Sequence, residues 1–477
     1  MTPLRVTVIG AGMAAARLAR QTLSQAPAGA AEFTLYGHEP YAPYNRALLA
    51  GVLDGRYTPD ALALPAGGAA VVTGTEVVAV DTAARTLRTD TGESAGYDVL
   101  VLATGANPVL PPIRHLHSTG DAGGEESGRE AAGSEKSGRE LKDGVHAFRS
   151  LADCVRLAEA ARSAERAVVI GGGVLGVSAA RALAALGIPV EIVHQAPHLM
   201  ERHLDDEAGA TVRRALEGMG AAVYTGNRAR ALRGDTAVTG VALASGHVLD
   251  CDLVVLACGV RPRTGLARAA GIEVRRGVVV DDTLATSAPG VYAIGDCTEH
   301  RGAVHGLTGP AWAQADVLAA RLSGADPHAL YTGSGVHGVA RLTAGALEIA
   351  AFGEVEDTDG DALRLVDGTR GAYGSYKKLV MRGDRLVGAI LVGDLAAVGE
   401  LTRTYERGEP LPSRPLDLLT PLEAAALVPA APPAPRTPSA PRMPSAPPPA
   451  PVPPTAPAPP APPITALSLA PAEGAVL

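Results

Sequence analysis

Cysteine is scarce in this sequence, and the few cysteines are not paired along the chain. The 477 residues include four, Cys154, Cys251, Cys258 and Cys297, and none belongs to a Cys-x-x-Cys motif. This pattern excludes a disulfide framework of the kind found in small secreted proteins. It also lacks the clustered thiolates that iron–sulfur centres require. We expect isolated, buried and unreactive thiols in a reducing compartment.

The sequence also lacks an excess of positive charge and an apolar run long enough to cross a membrane. Its 42 Lys and Arg residues face 50 Asp and Glu residues, giving a formal net charge of -8. This balance provides no broad basic field for nucleic acid or an anionic membrane. The longest apolar run, 167–180, falls short of the roughly 20 residues that a bilayer requires. An apolar strand predicted from Leu4 leaves no room for a signal sequence before it, so we expect a cytoplasmic protein that binds neither nucleic acid nor membrane.

Two low-complexity segments interrupt the chain. Residues 429–477 form a Pro- and Ala-rich tail, in which 429–463 hold 18 of the 38 prolines. Prolines fix φ and remove amide donors, so we predict a disordered, extended tail that acts either as a tether or as a docking segment. Residues 115–144 are polar, contain the near-duplicates 126–130 and 136–140, and lack apolar periodicity. They are predicted to be an inserted flexible surface loop.

The rest of the chain alternates between strand and helix patterns, which indicates parallel sheets of the α/β class. It also contains an internal repeat. Residues 97–108 match residues 251–262 in spacing, and each copy has the pattern of a buried strand that ends in a Gly turn. Because each copy lies downstream of its own glycine-rich segment, the duplication indicates two related nucleotide-binding units.

The first glycine-rich segment follows the first predicted strand. Gly10 permits a tight turn, and Gly12 lets backbone amides approach a pyrophosphate at the start of the next helix. Ala15 takes the third position of the motif, where helix and strand pack closely. The second strand leads to Glu39, which is placed to accept hydrogen bonds from a ribose diol. The strand, the helix and the acid together make this segment a specific signal for a dinucleotide site.

The second glycine-rich segment has all three glycines, Gly171, Gly173 and Gly176, followed by a helix predicted over 177–186. These glycines are predicted to seat the pyrophosphate of a second dinucleotide. Gly259, in the turn of the second repeat copy, is assigned to the same site.

The strand after this helix ends at His194, which is assigned to the NAD(P) site by its position. An NAD site usually offers a carboxylate at this position and an NADP site an arginine, so neither rule is satisfied. His198 and Arg202 are candidates for contact with a 2'-phosphate, but they are equally compatible with a solvent-facing loop. The sequence leaves the choice between NADH and NADPH open.

A third element spans 286–296, where a predicted strand ends in Gly295 and Asp296 before a helix. Alone, this pattern is typical of an ordinary helix N-cap. After the two glycine motifs, it resembles the second FAD motif of the two-dinucleotide flavoprotein reductases, the FAD-dependent pyridine nucleotide oxidoreductases. The resemblance covers residues 1 to about 325. It implies that Asp296 hydrogen-bonds the ribityl chain of FAD.

The resemblance also implies how the chain is divided. An FAD-binding Rossmann-like domain is split into 1–114 and 262–328, around an NAD(P)-binding domain over 145–261. A smaller C-terminal α+β domain is expected over 331–408. The implied cofactors are FAD and, as electron donor, NADH or NADPH.

Further FAD contacts follow from the same resemblance. Arg46, Thr104 and Gly105 would hold the flavin side of FAD together with Asp296, and Val77 would lie near adenine. Gly10, Gly12 and Glu39 would hold the adenosine diphosphate half.

The segment after the second strand narrows the subfamily. Residues 39–49 contain no thiol, where disulfide reductases and peroxidases of this fold place reactive cysteines. The string Tyr44-Asn45-Arg46, with 194–205 and 376–394, resembles the flavoprotein module of assimilatory nitrite and nitrate reductases. Ferredoxin reductases often carry a lysine just after this arginine. Here Ala50 and Gly51 stand there instead.

These likenesses imply an NAD(P)H-dependent reductase that passes electrons through FAD to a separate redox protein. The expected acceptor is an iron–sulfur or other redox protein, such as a nitrate or nitrite reductase or a ferredoxin. No catalytic side chain and no metal are expected, because hydride passes from cofactor to cofactor. The alternatives are a general ferredoxin or rubredoxin reductase and a slow NADH-sensing flavoprotein. The C-terminal domain could form either a homodimer surface or an acceptor dock.

Overall fold

The computed structural model describes residues 2–118, 140–333, 340–344, 347–356, 362–367 and 373–419. The predicted 429–477 tail and residues 119–139 of the predicted insertion lie outside the described residues. None of the helices within those ranges combines the length and the apolar character that a membrane span needs.

The elements alternate between strands and helices, as the sequence pattern predicts. Up to residue 118 they are β1 (Leu4–Ile9), α1 (Met13–Gln25), β2 (Ala31–Tyr36), α2 (Leu49–Leu53), β3 (Ala70–Val72), β4 (Val77–Asp81), β5 (Thr86–Thr89), β6 (Ser94–Gly96), β7 (Val99–Leu102) and β8 (Ala106–Pro108). Up to residue 262 they are β9 (Val145–Ala147), α3 (Leu151–Ala161), β10 (Ala167–Ile170), α4 (Val174–Ala185), β11 (Val190–Val193), α5 (Asp206–Gly218), β12 (Ala222–Tyr224), β13 (Ala229–Arg233), β14 (Gly240–Leu243), β15 (Val248–Asp250), β16 (Leu253–Leu256) and β17 (Val260–Pro262).

The elements after residue 262 include a strand that returns to the sheet containing β1 and the strands of a separate C-terminal sheet. They are α6 (Gly265–Ala269), β18 (Val278–Val280), β19 (Val291–Ala293), β20 (Thr298–His300), α7 (Thr308–Ser323), β21 (Ala340–Ala344), β22 (Leu347–Gly353), β23 (Ala362–Asp367), β24 (Ser375–Arg382), β25 (Arg385–Val392) and α8 (Val398–Arg407).

Two five-stranded parallel sheets form the centre of the fold. The first has the order β19-β7-β1-β2-β3 and the second β12-β11-β10-β16-β9. In each sheet the strand before the glycine turn lies between the next strand of its unit and the repeat strand. Their central strands are apolar and buried, as parallel strands covered on both faces must be. The first sheet takes β19 from a distant part of the chain, so it is assembled from two separate stretches.

The two copies of the internal repeat meet in the structure. Their strands are β7 and β16, and their ends, β8 and β17, pair antiparallel with each other, with Ala106 opposite Pro262 and Pro108 opposite Val260. The duplication therefore gives two similar units and also the ribbon that joins them.

The C-terminal residues form an antiparallel sheet of order β21-β22-β25-β24-β23. Ile349, Tyr376 and Ile390 on this sheet belong to the same buried cluster as Val177 and Leu183 of α4. This sheet therefore packs on the second parallel-sheet unit. The sequence prediction of an α/β fold with a C-terminal α+β domain is confirmed.

A polar junction adds to this packing. Asp205 caps the start of α5 by accepting from the Ala208 amide at 2.9 Å. It also accepts from the Tyr376 hydroxyl at 2.7 Å and from the Lys378 ammonium at 2.9 Å. Two strings singled out in the sequence, 194–205 and 376–394, are thereby brought into contact. Tyr376 and Lys378 are buried, so the junction is part of the core.

Two local predictions are corrected. Asp296 does not precede a helix directly, because a short 3-10 turn over Gly295–Cys297 leads into β20 and α7 begins only at Thr308. The ends of the 115–144 segment are not surface loop. Leu116 is buried in a hydrophobic cluster, and the buried Lys142 donates to the Gly234 carbonyl at 2.6 Å. The absence of apolar periodicity hid these isolated anchors.

Candidate functional site

The two glycine turns have nearly the same geometry. Gly10 and Gly171 adopt φ of +114° and +113°, a backbone conformation that residues other than glycine rarely adopt. A Cβ on Gly10 would lie 2.1 Å from the Ala103 carbonyl oxygen, and one on Gly171 would lie 2.2 Å from that of Ala257. Each first glycine thus lets its turn pass against the end of a repeat strand. This contact explains why the repeats accompany the glycine motifs.

The second glycines, Gly12 and Gly173, play a different role. They are the N-caps of α1 and α4, and neither helix start receives a side-chain cap from the described residues. A Cβ at either position would meet nothing within 4 Å. Both helix N-termini therefore present backbone amides to open space, the arrangement that binds a phosphate group.

The third positions serve packing. A Cβ on Gly176 would lie 1.8 Å from the Gly171 carbonyl oxygen. Ala15, at the equivalent place in the first motif, is fully buried. Neither residue lines the cavity described next, because both hold a helix against its glycine turn.

One large cavity of about 1570 Å³ extends across both glycine turns. This volume exceeds the roughly 300–1000 Å³ of a typical single-ligand site. It is lined by eleven of the residues predicted from sequence, Gly10, Gly12, Glu39, Arg46, Thr104, Gly105, Gly171, Gly173, His194, Gly259 and Asp296. Ala15, Val77 and Gly176 do not line it. Val77 is buried in the core of the first unit, and its proximity to adenine stays a prediction.

Glu39 lies in a network with two neighbours from the following segment. Arg46 pairs with one carboxylate oxygen, and the Tyr44 hydroxyl donates to the other at 2.7 Å. Burial alone would raise the pKa of Glu39, but Arg46 and Tyr44 together lower it below its ordinary value. Tyr44 in turn accepts from the Leu151 amide at 2.9 Å. The carboxylate is therefore ionised and oriented, as a ribose acceptor must be.

Asp296 is paired with Arg149, a residue that the sequence motifs did not identify. Arg149 lines the cavity, and its Nε is buried without a hydrogen-bond partner among the described residues. A buried unpartnered donor beside a cavity calls for an acceptor from a ligand. Arg149 follows β9 just before the capping box of Ser150 and Asp153, so its position is defined locally although no motif marks it.

Thr104 and its surroundings are tied to the start of the second chain stretch. The Thr104 hydroxyl donates to the Arg263 carbonyl at 2.8 Å, so that hydroxyl is already engaged. Arg263 also reaches His38, with 3.1 Å between Nη1 and Nε2. Burial and the adjacent Arg263 lower the pKa of His38, which favours the neutral ring. Both side chains line the cavity and were missed because 225 positions, including the whole second nucleotide-binding unit, separate them along the chain.

His194 uses both ring nitrogens within the second unit. Its Nδ1 accepts from the Gly172 amide at 3.1 Å, and its Nε2 lies 2.9 Å from a carboxylate oxygen of Glu201. Of the two candidates for a 2'-phosphate, His198 lies 3.1 Å from Asp206, and Arg202 is exposed at the cavity. Glu201 also lines the cavity and was missed because it lies on an irregular turn.

The cysteines have the character expected of core thiols. All four lie within the described residues and are free; Cys154, Cys251 and Cys297 are buried, and only Cys258 lines the cavity. Burial raises the pKa of the Cys258 thiol to about 11. The thiol is therefore protonated at neutral pH and is a poor nucleophile. Within the same described residues, no group of three or more His, Cys, Asp or Glu side chains is arranged to hold a metal ion.

The residues present fit two dinucleotides. Each helix N-terminus has open space at its N-cap glycine, which an added Cβ would occupy. Each unit also has an oriented carboxylate at the cavity, Glu39 in the first unit and Glu201 in the second. The unpartnered Nε of Arg149 adds an unsatisfied donor on the first side. These are the elements of phosphate and ribose recognition in Rossmann-like sites.

Comparison with known proteins gives two matching families. Residues 4–315 match the family described as pyridine nucleotide-disulphide oxidoreductase, and residues 339–409 match the rubredoxin NAD+ reductase C-terminal domain. Among solved structures, the ferredoxin reductase for the CYP199A2 system from Rhodopseudomonas palustris superimposes with a TM-score of 0.68 and 26% identity, over 83% of this chain and 92% of that chain.

Two curated proteins of Bacillus subtilis (strain 168) are similar to this chain. The nitrite reductase (NAD(P)H) is 35% identical over 397 residues, which is 82% of this chain and 46% of that protein. The assimilatory nitrate reductase electron transfer subunit is 32% identical over 401 residues, which is 83% of this chain and 48% of that protein. The chain thus spans about half the length of the curated relatives it matches.

Proposed function

Because the chain belongs to the pyridine nucleotide-disulphide oxidoreductase family and is an FAD-dependent NAD(P)H oxidoreductase, we propose that it passes electrons from NAD(P)H through FAD to a separate redox protein in nitrate or nitrite assimilation. The observation that carries the proposal is the single cavity shared by the two glycine turns. Two dinucleotides held at these turns would share one space, which is what hydride transfer from cofactor to cofactor requires.

We assign FAD to the first unit. The amides of the turn at Gly10 and Gly12 would receive the pyrophosphate, and Glu39 would accept the ribose hydroxyls. Asp296, at the end of the first parallel sheet, would accept from the ribityl chain. Thr104 and Gly105 would contact FAD through the backbone.

Two arginines complete this assignment. Arg46 and Arg149 pair with the two carboxylates Glu39 and Asp296, and both line the cavity. Arg46 would contribute on the flavin side of FAD, and Arg149 would hold Asp296 in place for the ribityl chain, because a guanidinium group orients a carboxylate through directed hydrogen bonds.

The second unit would hold NAD(P)H. The turn over Gly171, Gly172 and Gly173 would bind the pyrophosphate at the start of α4, as in the first unit. Gly259, with φ of +99° and no atom within 4 Å of an added Cβ, leaves open space in the matching repeat turn. Gly259 lines the shared cavity, and the nicotinamide would lie there, in reach of the flavin.

The cofactors supply the hydride and electron chemistry, and the protein supplies alignment and exclusion of competing reactions. No side chain needs to act as an acid or base in a transfer from cofactor to cofactor. Cys258 is held protonated by burial, so a thiol relay of the disulfide-reductase type is not part of the proposal.

The acceptor is proposed from the curated relatives and from the sequence likenesses of 44–46, 194–205 and 376–394. One relative is named as an electron transfer subunit of assimilatory nitrate reductase. The present sequence has no clustered cysteines for an iron–sulfur centre, so the proposed acceptor centre would lie outside these 477 residues.

An anaerobic titration of the purified protein tests the first half of the proposal. Stoichiometric bleaching of bound flavin by NADH or NADPH is expected within the mixing time of a manual experiment. The second half is tested by adding a partner assimilatory nitrate reductase with nitrate and following nitrite. Rapid flavin reduction without nitrite formation would refute the nitrogen-assimilation role and leave the reductase intact.

A ferredoxin or rubredoxin reductase is the second candidate. It is favoured by the match of residues 339–409 to the rubredoxin NAD+ reductase C-terminal domain. Cytochrome c reduction that depends on added ferredoxin or rubredoxin, with no transfer to nitrate reductase, would support this candidate. A slow NADH-sensing role would instead give slow flavin reduction with every acceptor.

A further inference from the structure

In the second nucleotide site, the end of β11, where a ribose-binding acid is usually found, holds no acidic residue. His194 occupies the end of β11, and it is buried, with both nitrogens engaged. Because Nδ1 accepts the Gly172 amide proton, the ring proton is on Nε2 and is donated to Glu201. His194 therefore joins the phosphate-binding turn to a carboxylate seven residues further on.

Glu201 has the geometry of a ligand-binding acid. Its side chain is 32% exposed and lines the cavity, with Oε2 fixed by His194. Within the part of the chain that the structure describes, Oε1 accepts no hydrogen bond, so that oxygen is available to a ligand in the cavity. A carboxylate with one oxygen pinned and the other open is oriented before any ligand arrives.

The turn that carries Glu201 is fixed on both sides. The amide of Met200 donates to the Gly172 carbonyl at 2.9 Å, so the turn is bonded directly to the glycine loop. Met200 is buried at φ +55°, a costly conformation that persists only where packing enforces it. On the far side, Asp205 ties the turn to Tyr376 and Lys378 of the C-terminal sheet.

We propose that Glu201, held by His194, recognises the 2'-hydroxyl of the adenosine ribose and selects NADH over NADPH. This inference rests on the proposed function, because it concerns the same nucleotide site. A carboxylate accepts hydrogen bonds from the ribose hydroxyls, whereas a 2'-phosphate would bring about two negative charges against it. His194 donates a neutral hydrogen bond and does not cancel the carboxylate charge.

Other charged groups near this turn do not replace Glu201. Arg202 and Arg228 line the cavity but are exposed, so solvent screens their charges. The nearby His198 faces Asp206 at 3.1 Å. The carboxylate is the charged group that the fold pins at the glycine turn.

Equilibrium binding of NAD+ and NADP+ to the flavin-loaded protein tests the proposal by calorimetry. The native protein should bind NAD+ at least about tenfold more tightly. Glu201→Gln should reduce that preference by about tenfold or more, since a charged hydrogen bond is lost and the repulsion of the 2'-phosphate is relieved. Glu207→Gln is the matched control. It removes an exposed acid on α5 that does not line the cavity, and the preference should stay within about twofold.

Thermal unfolding and flavin content of each variant establish that it is folded. If Glu201→Gln does not fold, Glu201→Asp keeps the charge but retracts it, and an intermediate preference is expected. An unchanged NAD+ preference in a folded Glu201 variant, or a native preference for NADP+ that falls in Arg202→Gln, overturns the inference while leaving the reductase intact. Failure of the native protein to bind either nucleotide overturns the proposed function and this inference together.

Discussion

Gly176→Ala should lower the thermal stability of the protein, whereas Gly173→Ala should lower its affinity for nucleotide, although the two residues lie only three positions apart. A methyl group at Gly176 would lie 1.8 Å from the Gly171 carbonyl oxygen, and Ala257 closes the other side at 3.4 Å. Backbone lies on the nearer side, so relief requires α4 to move away from its turn. A methyl group at Gly173 would meet no atom within 4 Å.

Overpacking of this kind costs about 1–3 kcal/mol. Each kcal/mol lowers the Tm of a domain of about 60–250 residues by about 2–8 °C, so Gly176→Ala should unfold at a visibly lower temperature. Gly173→Ala exchanges one N-cap residue for a poorer one and should cost less than about 1 kcal/mol. Its methyl group instead covers amides that face the cavity, so nucleotide affinity should fall by at least about tenfold.

Thermal unfolding and calorimetric NAD+ binding on the same preparations separate the two effects. Gly12→Ala provides the counterpart in the first unit, where flavin retention should fall and NAD+ affinity should not. Equal Tm values for native protein and Gly176→Ala would refute the close approach of α4 to its turn. Undiminished nucleotide binding in Gly173→Ala would refute the assignment of the open N-terminus to a phosphate.

Three further outcomes follow from the side-chain contacts. Mass spectrometry should show that iodoacetamide at pH 8 leaves the native thiols unmodified. Burial raises the pKa of Cys154 to about 12 and that of Cys258 to about 11, so both thiols stay protonated. Rapid labelling of either would contradict this. Asp205→Ala should cost roughly 3–5 kcal/mol in urea unfolding, because Lys378 is left buried without its carboxylate. Burial alone would raise the pKa of Asp205, but its hydrogen bonds lower this pKa below 3.8. The difference in unfolding free energy between native protein and Asp205→Ala should therefore persist at neutral pH and shrink only as the pH falls below 3.8. A difference that does not change in acid would count against the junction. Arg149→Met should lose flavin on desalting, measured by absorbance, whereas Arg149→Lys should retain part of it, and full retention in the methionine variant would remove this residue from the FAD site.

Local sequence determined the two glycine turns and the class of fold. Gly10 and Gly171 could be identified because the requirement for positive φ lies within the turn itself and leaves a short, regular signature. The parallel sheets could be predicted because the alternation of strand and helix patterns is also visible in short stretches of sequence. The internal repeat predicted two similar units, and β7 and β16 occupy equivalent places in their sheets.

Tertiary structure alone decided which charged side chains from distant parts of the chain pair with each other. Arg149 meets Asp296 across 147 residues, and Lys378 meets Asp205 across 173. Such pairs leave no periodic trace in the sequence, because their partners are chosen by how sheets and helices pack. The contact between Glu201 and His194 was also not predictable from the sequence, although the two residues are only seven positions apart. An irregular turn fixed by the buried Met200 sets the direction of Glu201, and no spacing rule predicts the path of such a turn.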